Sequence, residues 1–345
     1  MAAVGLKTHI WNNNLRSAFL LAGFPVLLIV IIYILAFAAF ATGLLPADQF
    51  AGGALGGATA FMIGGAPLAL IVAGVWFLIA FFANTAIIAA ATGARAVTRA
   101  EQPELYNILE NLAISRGLPM PRLNIIDTDA LNAFASGVTK SQYTVTVTSG
   151  LLNTLDKDEL EAVLGHELTH IINRDVRTMM IAAVFAGIFT LASELFFQTL
   201  RFGRFRSRDR NGGAVIVFIL IAVLVLIVGR ILAVVVRMTL SRSREFVADA
   251  GSVELTKNPD AMIGALRKIS GHSQLNAPED VRGMFIDNGE RSVMSLFATH
   301  PPIDARIKAL VKYAGGREAP LPDHIDAEPV IEGTVKSGTF GGPWG

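Results

Sequence analysis

Apolar residues in this chain collect into runs rather than into amphipathic stripes. Ala18 to Ala41 holds no charged side chain, and neither does Pro67 to Ala91. Each is long enough to cross a hydrocarbon core of about 30 Å as a helix. The first run is too long for the apolar part of a cleaved signal peptide, typically about 7–15 residues, so it reads as a retained anchor. A glycine-rich stretch, Gly52 to Gly65, separates the two. Two further apolar runs follow at Met179 to Ala192 and Ala214 to Gly229, the second continued by Ile231 to Val236. Glu194 and Arg230 lie at or within these later runs. Charges at membrane depth are costly, so each suggests either pairing across a hairpin or a route to a site.

The stretches between and after the runs carry shorter periods. Pro103 opens an amphipathic helix through Leu105, Ile108, Leu109 and Leu112, and Gly117 stops it. Leu123 to Ile126 predicts a short strand. Tyr143, Val145 and Val147 alternate with threonines and predict a half-buried one. Asp156 with Glu159 forms a capping-box start for a helix running through Leu160, Val163, Leu164, Leu168 and Ile171. Asn258-Pro259 starts another helix that stops near Gly271, and Pro301-Pro302 a last one that stops at Gly315. From about Arg317 the chain is rich in Pro and Gly, lacks helical periodicity and reads as a disordered tail. The organisation is then a membrane region over 1–95, a first soluble part over 96–178, a hydrophobic hairpin over 179–238, a second soluble part over 239–316 and a tail over 317–345.

Composition supports this reading. Apolar residues make up 52% of the 345 and charged ones only 17%, against about 25% charged in ordinary soluble proteins. The formal net charge of +1 gives no reason to expect nucleic acid as a partner. Lys7 and Arg16 precede the first run, Arg95 and Arg99 follow the second, and no Lys or Arg lies between. The positive-inside rule then places the N-terminus and the soluble parts after Ala91 in the cytoplasm of a multi-pass protein. Arg201, Arg204, Arg206, Arg208 and Arg210 sit between the third and fourth runs. A full crossing would put them outside against that rule, whereas a hairpin that dips into the membrane would not. Both arrangements return the chain to the same side.

The chain has no cysteine, so any metal must be held by His, Asp or Glu. His166-Glu167-Leu168-Thr169-His170 lies on the capped helix. Positions i and i+4 share a helix face, so both imidazoles can reach one Zn²⁺. Glu167 stands beside them, suited to take a proton without occupying a coordination position. A catalytic zinc takes three protein ligands and keeps one position open. The best third candidate is Glu245, in Ser243-Arg244-Glu245-Phe246-Val247-Ala248-Asp249. Asp249, one turn on, suits the distal N–H of a zinc histidine. Asp175 stands either behind the ligands or at a polar helix end. His9, His272 and His324 lack ligand spacing.

These motifs, in this order with Leu131-Asn132-Ala133-Phe134-Ala135 and His300-Pro301-Pro302 with Arg306, resemble the HtpX-type bacterial membrane metalloproteases, relatives of the CAAX prenyl proteases. The resemblance covers nearly the whole chain. It implies a mainly α-helical integral membrane protein with an α+β gluzincin domain. One zinc per chain would sit on His166, His170 and Glu245, with Glu167 as catalytic base. It further implies a bacterial inner-membrane location, a cytoplasmic active site and membrane-protein or peptide substrates in quality control. Asn132 would begin an edge strand along the cleft, and His300 would face the zinc and hold the oxyanion, with Arg306 nearby. Phe246 departs from the family's usual Tyr. Two other readings start from the same runs: a membrane scaffold that keeps zinc as a staple, and a transporter, although no inverted repeat is visible.

Overall fold

The computed structural model describes residues 6–181, 212–270, 272–273 and 301–317. Glu194, the arginine-rich loop, most of the third apolar run, His300 and all but the first residue of the tail lie outside these, as does the side chain of Arg230.

The first two apolar runs form long antiparallel neighbours, α1 (Leu6–Ala41) and α2 (Gly53–Thr92), joined by a short 3₁₀ turn at Ala47–Gln49. The glycine-rich stretch is not a break: it is the first part of α2. Glycine is a poor helix former in water, yet here its lack of a side chain is what packing requires. A Cβ on Gly57 would stand 2.7 Å from the ring of Phe40 on α1. Among the described residues one stretch, Gly53–Ile79, is long and apolar enough to cross a membrane, with mean hydropathy 2.2 over 27 residues. Pro25–Ala41 and Phe81–Thr92 are shorter apolar helical pieces. Large apolar side chains stand exposed along α2, among them Ile63, Leu68, Ile71 and Phe82.

The part that follows α2 is a four-stranded sheet carrying helices. Strand β1 (Arg95–Ala96) leads to α3 (Pro103–Ser115), β2 (Arg122–Ile126), β3 (Ala133–Ser136), β4 (Thr144–Thr148), the short α4 (Ser149–Thr154) and α5 (Lys157–Ile172). The strand order is β1-β2-β4-β3. Strand β4 runs parallel to β2 with Leu123 opposite Val145, and antiparallel to β3 with Ala135 opposite Val145. The threonine face of β4 was expected to meet solvent. Instead all of β4 is buried, because it is an inner strand, and Thr148 is spent capping α4 by accepting from Leu151 N. The β3–β4 hairpin docks on the membrane helices, with Gln142 Nε2 donating to the Phe81 carbonyl of α2 at 3.0 Å.

Helix α5 lies at the centre of the core. Its start is the capping box: Asp156 accepts from Glu159 N at 2.9 Å, and Glu159 accepts from Asp156 N at 3.0 Å. Val163, Leu164 and Leu168 on α5 are completely buried, together with Leu109, Val145, Val147, Leu266 and Ile269. The fourth apolar run continues without interruption into α6 (Gly212–Thr256), a single helix of 45 residues that ends beyond Asp249. Two smaller helices, α7 (Pro259–Ile269) and α8 (Ile303–Ala314), close the core, α8 ending on Gly315 at φ 76°. The anchored first residue of the tail, Arg317, binds Asp260 through its backbone N–H at 2.7 Å and its Nε at 2.9 Å.

Candidate metal centre

Helices α5 and α6 approach unusually closely, and small side chains allow it. Ser252 on α6 donates to the Ala162 carbonyl of α5 at 2.5 Å. A Cβ on Gly251 would stand 2.3 Å from Thr169 Cγ2, and one on Gly165 would stand 3.3 Å from Ser252 Oγ. Side chains one turn further along α6 therefore meet those of α5 directly.

Three of them converge. His166 Nε2 and His170 Nε2 are 3.1 Å apart, and the Glu245 carboxylate lies 3.5 Å from the first and 3.7 Å from the second. All three donor atoms fall within 4.8 Å of one another. Donors about 2.1 Å from a common tetrahedral ion stand roughly 3.4 Å apart, so the observed separations suit such an ion.

The protonation pattern suits it too. His166 Nδ1 is 3.0 Å from Asp249 Oδ1, and His170 Nδ1 is 3.1 Å from Asp175 Oδ2. Ionised carboxylates only accept, so each Nδ1 carries a proton, and with a cation bound each Nε2 would turn a lone pair inward. Two lone pairs and a carboxylate facing one another repel unless a positive charge lies between them. Burial opposes charge on His166, yet its bonds to Asp249 and Glu245 outweigh burial and raise its pKa to about 9, so a cation binding here would displace a proton from Nε2. Among the described residues, the buried carboxylates Glu167, Asp175, Glu245 and Asp249 face only two buried guanidinium groups, Arg244 and Arg306.

Each of those arginines backs one aspartate. Arg306, from the first turn of α8, grips Asp249 with two bonds, Nε to Oδ2 at 2.9 Å and Nη2 to Oδ1 at 2.6 Å. Burial works to raise the Asp249 pKa, but Arg306 outweighs it and keeps the carboxyl below its ordinary range. Arg306 Nη1 also stands 3.5 Å from the Glu245 carboxylate. Arg244, one residue ahead of Glu245, places Nε 3.4 Å from Asp175 Oδ1 and donates from Nη1 to the Asp175 carbonyl at 3.4 Å.

Asp175 reaches His170 only because α5 stops. Five residues on along a continuing helix it would point about 140° away. Arg174 instead adopts φ 60°, a left-handed conformation that costs a non-glycine residue energy, and turns the chain back. Helix α1 braces this turn: Arg174 donates to Asn14 Oδ1 at 2.9 Å, and the Thr178 and Ser17 hydroxyls lie 2.8 Å apart.

Glu167 is 1% exposed. Burial pushes its carboxyl above the ordinary range, against the pull of the two imidazoles and a hydrogen bond from the Ala135 N–H on β3. Asn132, at the head of β3, is fully enclosed and ties strands and loops together: its Nδ2 donates to the Ser273 carbonyl at 2.8 Å, and its N to Thr148 Oγ1 at 3.0 Å. His300 lies outside the described residues. Arg244 lies within the Ser243–Asp249 motif, and nothing in that motif taken alone shows its part. Its adjacency to Glu245 on a buried helix is the signal that pointed to it.

Known proteins resemble this chain over most of its length. The model of peptidase family M48 matches residues 99–314. A protease HtpX homolog of Bacteroides fragilis is 42% identical over 324 residues, covering 91% of this chain and 100% of the relative. One from Streptococcus uberis is 38% identical over 253 residues, covering 71% and 85%. The crystal structure of S. mikatae Ste24p aligns with a TM-score of 0.43 at 19% identity, covering 87% of this chain and 66% of that one. With the M48 match spanning both halves of the donor set and the Bacteroides relative matching end to end, this chain belongs to peptidase family M48, as an HtpX-type membrane metalloprotease.

Proposed function

We propose that the protein is a zinc-dependent endopeptidase that cleaves misfolded or damaged membrane proteins at the cytoplasmic face of the bacterial inner membrane. The observation that carries this reading is the convergence of His166, His170 and Glu245 with Glu167 beside them. The N/N/O donor set without sulfur suits zinc. When bound, the metal supplies Lewis-acid polarisation of a peptide carbonyl and makes water easier to deprotonate. Asp249 and Asp175 hold the two imidazoles in the ligating tautomer. Glu167 takes the proton of the attacking water and returns it to the leaving amine. A carboxyl whose affinity for protons is raised by burial suits a group that must both accept and release one near neutral pH.

Among the described residues β3 is one of the two edge strands of the sheet, paired with β4, and its Ala135 N–H reaches Glu167. An extended substrate lying along this edge would bring a peptide bond to the base. His300 is assigned to the oxyanion and Asn132 to the shape of the edge strand. The exposed apolar faces of α1, α2 and α6 favour lipid contact and a substrate drawn from the membrane. The flanking Lys7, Arg16, Arg95 and Arg99 favour a multi-pass topology with a cytoplasmic site.

The test sets the full chain in detergent against a destabilised membrane protein, with Glu167→Gln and chelator-treated protein alongside. Cleavage by wild type alone, restored to the stripped protein by zinc, is expected. Cleavage by Glu167→Gln at the wild-type rate would remove the assigned base.

A further inference from the structure

We infer that Arg244 is a positioning residue for the metal site, acting on His170 through Asp175. The inference rests on His170 being a ligand, as proposed above. Arg244 is 1% exposed and Asp175 completely buried. Burying a guanidinium is costly unless it is matched by charge and hydrogen bonds. Here a charge contact and a hydrogen bond go to one residue: Nε lies 3.4 Å from the Asp175 carboxylate as an ion pair, and Nη1 donates to its main-chain carbonyl at 3.4 Å.

The two contacts do different things. The main-chain bond fixes where residue 175 lies after the left-handed turn at Arg174. The side-chain contact fixes the rotation of the carboxylate, so that Oδ2 meets His170 Nδ1 at 3.1 Å while Oδ1 meets the guanidinium. The periodicity of α5 ends before Asp175, so the helix itself does not orient it. Arg244 sits next to Glu245 on α6, and the rigid helix therefore carries both the third donor and the clamp on the second histidine. Arg306 and Asp249 do the same for His166 from the other side.

The experiment uses the full chain in detergent with Arg244→Gln, Arg244→Lys, Asp175→Asn and the Arg244→Gln/Asp175→Asn double variant. It reads zinc affinity by competition with a coloured chelator, melting of the metal-stripped protein, and kcat/KM. Loss of a group that orients a ligand typically weakens metal binding about 10–100-fold, and that loss is expected for Arg244→Gln and Asp175→Asn alike. The double variant should bind no more weakly than Asp175→Asn, because both changes break one relay. Arg244→Lys should recover part of the affinity, since an ammonium keeps the charge but only one direction of contact.

Zinc affinity unchanged in Arg244→Gln, with only the melting temperature lowered, would overturn the inference, and so would losses that multiply in the double variant. Should Arg244→Gln fail to fold, Arg244→Lys and its combination with Asp175→Asn complete the same cycle. A wild type that binds no zinc would instead overturn the metalloprotease reading, and this inference with it.

Discussion

The two histidines of the site are held by the same sequence of groups, imidazole to aspartate to arginine, built in different ways. On the His166 side, Asp249 comes from α6 and Arg306 from α8, and the grip is bidentate at 2.6 and 2.9 Å with every member sealed. On the His170 side, Asp175 follows a strained turn on the histidine's own segment, the arginine contacts are 3.4 Å, and the imidazole is 12% exposed. The first arm is a tertiary clamp between three helices. The second is a local turn stiffened by a neighbour and braced by α1. The difference teaches that the donor set has one rigid side and one adjustable side, the adjustable one lying where the membrane helices touch the catalytic part.

The largest effect belongs to neither arm and sets the scale for both. Glu167→Gln should lower kcat by about 10²–10⁴-fold while zinc content stays at the wild-type value. Loss of zinc in that variant would mean that the base also holds the metal. Next comes the rigid arm. Arg306→Gln leaves Asp249 buried without its guanidinium, which should cost about 3–5 kcal/mol in denaturant unfolding. A cost under about 1 kcal/mol would show the two arms to be equally soft.

A smaller change acts on the spacing both arms share. In Gly251→Ala the new methyl would meet Thr169 at 2.3 Å, and overpacking of this kind costs about 1–3 kcal/mol. Activity should fall with it, because α6 and Glu245 move off the histidine pair. Gly165→Ala, whose methyl would meet Ser252 Oγ at 3.3 Å, should be milder, and equal losses would refute the close-approach argument.

The smallest effect lies outside both arms. Asp260 is held below the ordinary carboxylate range by the Arg317 backbone N–H and then its side chain. That stabilisation is present above the unfolded value of about 4 and fades as pH falls through the lower folded one. Asp260→Asn should therefore cost under about 1 kcal/mol at pH 7, and almost nothing in acid, as measured by thermal unfolding across pH.

How much of this was readable in the chain follows from the range of each interaction. The α5 capping box and the facing of His166 and His170 are local, three and four residues apart, and both follow from helix spacing. Glu245 was readable from the acidic pair on its helix in a chain without cysteine, and from the family resemblance of its motif. The arginine contacts were not readable: Arg244 to Asp175 and Arg306 to Asp249 join residues far apart in sequence, and an ion pair across the fold has no period. The threonines of β4 misled because their alternation looks the same whether the second face meets water or other protein. The glycines of α2 misled because helix propensity is measured in water, whereas Gly57 answers to the ring of Phe40.

The unbroken run of α6 from Gly212 to Thr256 has a mechanical corollary. Its apolar rows at Ile216, Leu220, Leu224 and Ile227 stand outward, and the carboxylate at 245 rides on the same rod. A slip of one residue would carry that carboxylate about 1.5 Å along the axis and about 100° around it, far beyond what a coordination bond tolerates. Whatever grips the greasy end of the rod, and at whatever depth, thereby sets the register of chemistry at the other.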